Sequence, residues 1–181
     1  GWYKSMHGQV LRNSLFKFVA LALLALMSPA ACVTEPPVAE RVIAVGERVP
    51  EFSVILDNGE EWASHNSGGL PSVIAFFHTG CGDCRSELPE LQEACRQSGD
   101  RVRFVCIARE EDAADIAAWW SDNGLSLPWS AQPDRRVYNM FANTGIPRIF
   151  IISADLKIVE AFGPEDAPSA TRILNCLGKF I

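Results

Sequence analysis

One junction in this chain decides what can be built around it: the run Ser72-Val73-Ile74-Ala75-Phe76-Phe77 passes through His78-Thr79-Gly80 straight into Cys81-Gly82-Asp83-Cys84. A run apolar on both faces is a strand for the middle of a covered sheet. Behind it Leu88, Leu91, Ala94 and Cys95 recur at helical spacing, with Glu87, Glu90, Glu93 and Arg96 elsewhere. That pattern predicts a helix from Cys84 through Cys95, kinked at Pro89. A buried strand feeding an amphipathic helix commits the chain to an α/β fold.

The remaining segments extend the same layers. Phe52–Leu56 and Glu60–Ala63 read as strands about the turn Asp57-Asn58-Gly59, an N-terminal β-hairpin. Arg101–Ala108 is a second buried strand. Asp112–Asp122 is a helix with Ile116, Trp119 and Trp120 on its apolar side and Asn123-Gly124 as its stop. A looser stretch around Leu127-Pro128-Trp129 and a short helix near Val137–Phe141 follow. Arg148–Ile152 and Lys157–Phe162 read as strands joined by a Ser153-Ala154-Asp155 turn, and a last helix runs from about Pro168 to Leu177. The order βββαβα(α)ββα predicts a central mixed β-sheet with helices on both faces.

The chemistry collects at the Cys-x-x-Cys. Two residues between cysteines at a helix start bring the sulfurs within disulfide reach. Unpaired backbone N–H groups and the helix dipole there favour the thiolate of the first. Cys81 is therefore the candidate nucleophile, and Cys84, one helical step inward, the residue that resolves a mixed disulfide. Cys81, Cys84 and His78 make three ligands at most, and no second Cys-x-x-Cys or His pair completes a zinc set, so no metal is expected. No cofactor beyond a redox-active Cys81–Cys84 disulfide is called for. His78 reads as a strand-end residue. Cys106 reads as a small buried hydrophobe, and Cys95 and Cys176 as buried thiols.

These residues resemble the TlpA/ResA type of membrane-anchored, thioredoxin-like thiol-disulfide oxidoreductases. The likeness covers about residues 45–181. It rests on Gly46 with Pro50-Glu51-Phe52, on the segment Phe76–Pro89, and on Thr144-Gly145-Ile146-Pro147 ahead of a strand. The resemblance implies a thioredoxin-like fold in which Pro147 is cis and lies beside the cysteines, and in which the helices of Cys95 and Cys176 pack on one face of the sheet, where a disulfide between those two is the alternative to two buried thiols. It also implies that the backbone of Ile146 binds an extended substrate segment and that Glu87 serves the acid-base chemistry of the pair; the bland reading of Glu87 is a solvated helical residue. The family often has Trp before the first cysteine and Pro before the second, where this chain has Gly80 and Asp83. Gly80 opens the rim of the substrate site. Asp83 puts a negative charge near Cys81, which disfavours its thiolate and favours a reducing protein, unless it only complements the helix dipole.

The N-terminus reads as an export signal outside the fold. Lys4, Arg12 and Lys17 precede the sixteen uncharged residues Phe18–Val33, too short for a comfortable span, which takes ~20 residues. Pro29-Ala30-Ala31-Cys32 resembles a bacterial lipoprotein cleavage box, although Pro29 stands where Leu is preferred, so Cys32 is the candidate lipid attachment site. Simple cleavage and a retained short anchor are the alternatives. Residues 1–32 are thus the signal, with Met6 the natural start; residues 33–44 are a spacer and 45–181 the domain. All 22 acidic residues follow Thr34, while three of the 16 basic ones precede it, so the domain is too acidic for nucleic acid.

The expected protein is extracytoplasmic, in the periplasm and held to the membrane through its N-terminal anchor. It reduces protein disulfides and is itself restored by a membrane thiol donor. A thiol peroxidase of the peroxiredoxin type is a second reading; against it, Thr79 lies two residues before Cys81 and the proline of that motif is absent. A non-catalytic anchored binding module is the third.

Overall fold

The computed structural model describes residues 39–179. The signal segment, Cys32 and residues 33–38 of the expected spacer lie outside the described residues. Among the described residues no helix is long and apolar enough to cross a membrane.

The chain forms a hairpin of β1 (Ser53–Ile55) and β2 (Glu61–Ala63), then β3 (Ser72–Phe77), α1 (Gly82–Ser98), β4 (Arg103–Ala108) and α2 (Ala113–Asp122). There follow β5 (Trp129–Ser130), α3 (Tyr138–Phe141), β6 (Arg148–Ile152), β7 (Ile158–Phe162) and α4 (Ala170–Leu177). The five-stranded sheet has the order β5-β4-β3-β6-β7. β3 runs parallel to β4 and antiparallel to β6, so the sheet is mixed, as expected.

Alternation along β3 builds two cores. Val73, Ala75 and Phe77 pack with Leu88 and Leu91 of α1, Ile116 and Trp120 of α2, and Ile173 and Leu177 of α4. Ile74 and Phe76 face the other way, onto Tyr138 and Phe141 of α3 and onto Val54 and Trp62 of the hairpin. Helices do cover both faces, but unequally: one short helix and the hairpin close the second.

Several boundaries differ from the sequence expectation. The first helix begins at Gly82, with Cys81 as its N-cap, and extends to Ser98. It continues through Pro89 because burial of Leu88, Leu91 and Ala94 on both sides of the proline outweighs one lost backbone bond. The second buried strand starts at Arg103, behind a single 3₁₀ turn at Gly99–Arg101. The stretch expected to be loose holds β5, which continues the sheet: Cys106 N–H donates to Pro128 O at 2.8 Å and Asp57 N–H to Trp129 O at 2.9 Å. Two residues behind a proline carry no alternation to read. Cys95 and Cys176 are half-buried thiols rather than fully buried ones, and Cys106 is buried as expected.

Strand register assembles one end of the sheet. Phe77 pairs with Ala108, so His78 and Thr79 continue beside Arg109–Glu111. Phe76 pairs with Arg148, which sets the loop ending at Pro147 alongside the cysteines.

Candidate active site

Cys81 is the N-cap of α1, and its sulfur accepts the Cys84 N–H at 3.3 Å. This meets one of the amides a helix start leaves unpaired and sets positive dipole density on the sulfur. Cys81 is half-buried, whereas Cys84 is fully buried. Burial, then the hydrogen bond with Cys81, pushes the Cys84 thiol far up; the His78 backbone and the Arg109 charge act in the opposite direction. The two sulfurs thus differ in access, as attacking and resolving roles demand.

The Ile146–Pro147 peptide bond is cis, as the resemblance implied. Ile146 O lies 3.8 Å from Cys81 Sγ. The three carbonyls before it are all occupied: Arg135 Nη2 donates to Asn143 O at 3.0 Å, Arg148 Nε to Thr144 O at 2.8 Å and Tyr138 Oη to Gly145 O at 2.6 Å. Tyr138 is itself clamped, with Arg109 and Arg135 each stacked on its ring. The loop is therefore fixed from behind while Ile146 faces the sulfur.

Glu87 sits one turn after Cys84 and is only 3% exposed, and its Oε1 has no hydrogen-bond partner. Burial, with a smaller push from Glu90, raises its carboxyl from about 4.5 to about 7. The solvated reading of Glu87 is thereby replaced: it is a buried acid near neutrality, on the same buried stripe of α1 as Cys84. Asp83 is exposed in the first turn of the helix.

Gly80 is exposed, and its N–H donates to His78 Nδ1 at 2.9 Å. A side chain at Gly80 would meet that imidazole, its Cβ 3.1 Å from Nδ1, so the opened rim is partly occupied by His78. One anchoring residue was not anticipated. Glu111, 6% exposed, accepts Thr79 N–H at 2.9 Å and also the Thr79 hydroxyl, with His78 Nδ1 3.6 Å away. It fastens the loop that precedes Cys81. Only the β3/β4 register reveals this contact, because nothing in Arg109-Glu110-Glu111-Asp112 distinguishes one acid from its neighbours.

A mixed sheet with a helix-capping Cys-x-x-Cys opposite a cis-proline is a thioredoxin-like fold. Residues 45–161 match the AhpC/TSA family, and the chain belongs to that family. It is similar to the thioredoxin-like protein YneN of Bacillus subtilis (strain 168), 24% identical over 89 residues, 48% of this chain and 52% of that one. It is also similar to the thiol-disulfide oxidoreductase ResA of the same organism, 22% identical over 119 residues, 65% of this chain and 66% of that one. The chain thus spans about half of the first relative's length and just under two thirds of the second's. The crystal structure of a thiol:disulfide interchange protein of the thioredoxin family from Chlorobium tepidum TLS superposes with a TM-score of 0.65 at 23% identity, covering 76% of this chain and 98% of that one.

Proposed function

We propose that this chain is an extracytoplasmic thiol-disulfide oxidoreductase that reduces disulfides in other exported proteins. The observation that carries the reading is the asymmetry of the pair: a half-exposed, amide-bonded Cys81 beside a buried Cys84, facing the Ile146 carbonyl. The Cys81 thiolate attacks one sulfur of a substrate disulfide, forming a mixed disulfide and releasing the other sulfur as a thiolate, which takes up a proton. Cys84 then loses its proton and attacks Cys81. That closes the Cys81–Cys84 disulfide and frees the second substrate thiol. Two electrons pass to the substrate, and a membrane thiol donor returns them.

Glu87 is the proposed proton acceptor for Cys84, since a carboxyl near neutrality both takes and returns a proton at working pH. Ile146 O and the proline at 147, which has no N–H to compete for the substrate backbone, form the proposed binding edge, and Gly80 its open rim. The signal-like leader and Cys32 support export and lipid anchoring, and the anchored membrane side is where the donor acts.

The test is the reduction potential of Cys81–Cys84 in the full chain, from equilibration with dithiothreitol or glutathione buffers and mass spectrometry of trapped thiols. A value near or below about −270 mV is expected for a reductase, and one near about −120 mV reverses the direction. No reversible two-electron couple at this pair would defeat the reading altogether.

A further inference from the structure

The residues just before the family-matched domain are built into the back of the proposed substrate edge. Val42 bridges Ala142, and Ile43 N–H donates to Phe141 O at 2.7 Å. Asn143 ties the same strap twice more: its Oδ1 accepts Arg41 N–H at 2.8 Å and its Nδ2 donates to Ala39 O at 2.9 Å. Arg41 also donates to Asn139 O, beneath the same loop. Glu40 reaches the guanidinium of Arg148, which is only 5% exposed and follows Pro147 directly.

Arg148 is the hinge of this arrangement. Its Nε holds Thr144 O, and its Nη2 is bound by Glu40. Two glycines make room for the group: a Cβ at Gly145 would stand 3.2 Å from Nη2, and one at Gly163 would stand 3.3 Å from Nη1. Glu40 is the one carboxylate paired with Arg148 among the described residues. Without it a buried cation would sit unpaired one residue from the groove, and the guanidinium would be drawn toward water. Because the same guanidinium holds Thr144 O, such a shift moves the loop that carries Ile146.

We infer that the strap Ala39–Ile43 is a working part of the substrate edge, with Glu40 a positioning residue that acts through Arg148 to set where Ile146 stands relative to Cys81. The inference rests on the proposed oxidoreductase reading. The substrate class it concerns is an extended polypeptide disulfide, which has to engage the Ile146 backbone.

The experiment compares wild type with Glu40→Gln, and with Asp155→Asn as a control that breaks an exposed pair with Lys157 in the β6–β7 turn. Insulin is the protein disulfide and dithiothreitol the electron source, and amide spectra of the full chain are recorded alongside. Glu40→Gln is expected to raise KM for insulin about fivefold, the worth of a half-exposed ion pair, with kcat held within about twofold. It should also displace the amide signals of Gly145 and Ile146, while Asp155→Asn does neither. An unchanged KM in Glu40→Gln, or a fall in kcat with KM constant, overturns the inference when wild type turns over. A wild type that leaves insulin intact counts against the oxidoreductase reading, and the spectra then decide the strap separately: unmoved Gly145 and Ile146 amides overturn it, and displaced ones support it.

Discussion

Cys81 Sγ lies 3.8 Å from the carbonyl oxygen of Ile146, a residue 65 positions further along the chain. The proposed nucleophile and the proposed binding edge therefore belong to one surface, although one caps a helix and the other ends a loop. Their spacing is set by β3, which carries Cys81 at its exit and pairs Phe76 with Arg148. An extended segment bonded to Ile146 would bring its own sulfur over Cys81, which is the geometry an exchange step requires.

The difference in access between the two sulfurs makes the first prediction. In Cys84→Ser the mixed disulfide on Cys81 has no internal nucleophile to resolve it, so protein substrates should accumulate as covalent adducts. Non-reducing electrophoresis followed by intact mass measurement checks this. Cys81→Ser should give no adduct, because Cys84 is buried and its thiol is held protonated. Adducts formed equally by both variants would mean that the assigned roles are wrong.

The parts of this site that were legible in the sequence are those with a local signature. Cys81 and Cys84 announce themselves by spacing and by the strand before them, and Thr144-Gly145-Ile146-Pro147 by its likeness to a known loop. The core strands were legible because Ser72–Phe77 and Phe104–Ala108 are almost wholly apolar. What was not legible depends on pairing across the sheet. Glu111 matters because Phe77 stands opposite Ala108, and Arg148 because two glycines and Glu40 converge on it. A charged residue at a strand end looks solvated until its neighbours are known. β5 was missed for a related reason: Trp129 and Ser130 are a strand only by virtue of Cys106 beside them.

Glu87 gives the chain a pH dependence whose sign is fixed. Its folded carboxyl stands at about 7 against an ordinary 4.5. Between those values the native state holds a proton that the unfolded state has released. Stability should therefore fall as pH rises through that window and level off above it. Glu87→Gln removes this slope. Relative to wild type it should gain on the order of 2 to 3 kcal/mol in going from about pH 4 to about pH 8. Urea unfolding of both proteins at the two pH values measures it. A parallel pH profile in the two would place the carboxyl at its ordinary value in the fold.

Gly80 tests how far the rim has adapted. Restoring the aromatic of the resembled family, Gly80→Trp, puts a Cβ against the His78 ring, the end of a side chain that is only half-buried. His78 can swing aside, losing the bond from the residue 80 amide, so the cost should stay within about 1 kcal/mol. The ring should also leave its present surroundings, which the chemical shifts of the His78 ring protons follow. A loss of several kcal/mol would mean that His78 is locked in place and that the open rim is a structural requirement.

Glu111 is the residue whose removal should loosen the site without touching either sulfur. Its carboxylate takes both the amide and the hydroxyl of Thr79, which is 8% exposed, so Glu111→Ala leaves two buried donors with nothing to bind. The expected loss is roughly 2 to 4 kcal/mol of unfolding free energy, and Glu111→Gln, which keeps one acceptor oxygen, should lose about half of that. The loop from His78 to Gly80 leads directly into the helix cap, and Cys81 N–H donates to His78 O at 3.0 Å, so the slackening reaches Cys81. Hydrogen exchange should therefore quicken at Thr79 and Cys81 together in Glu111→Ala, while amides at the far end of β3, such as Val73, keep their protection relative to global unfolding. If stability instead stays within about 0.5 kcal/mol of wild type and Thr79 exchanges no faster, the Thr79 donors have other partners and Glu111 is only a neighbour of the site.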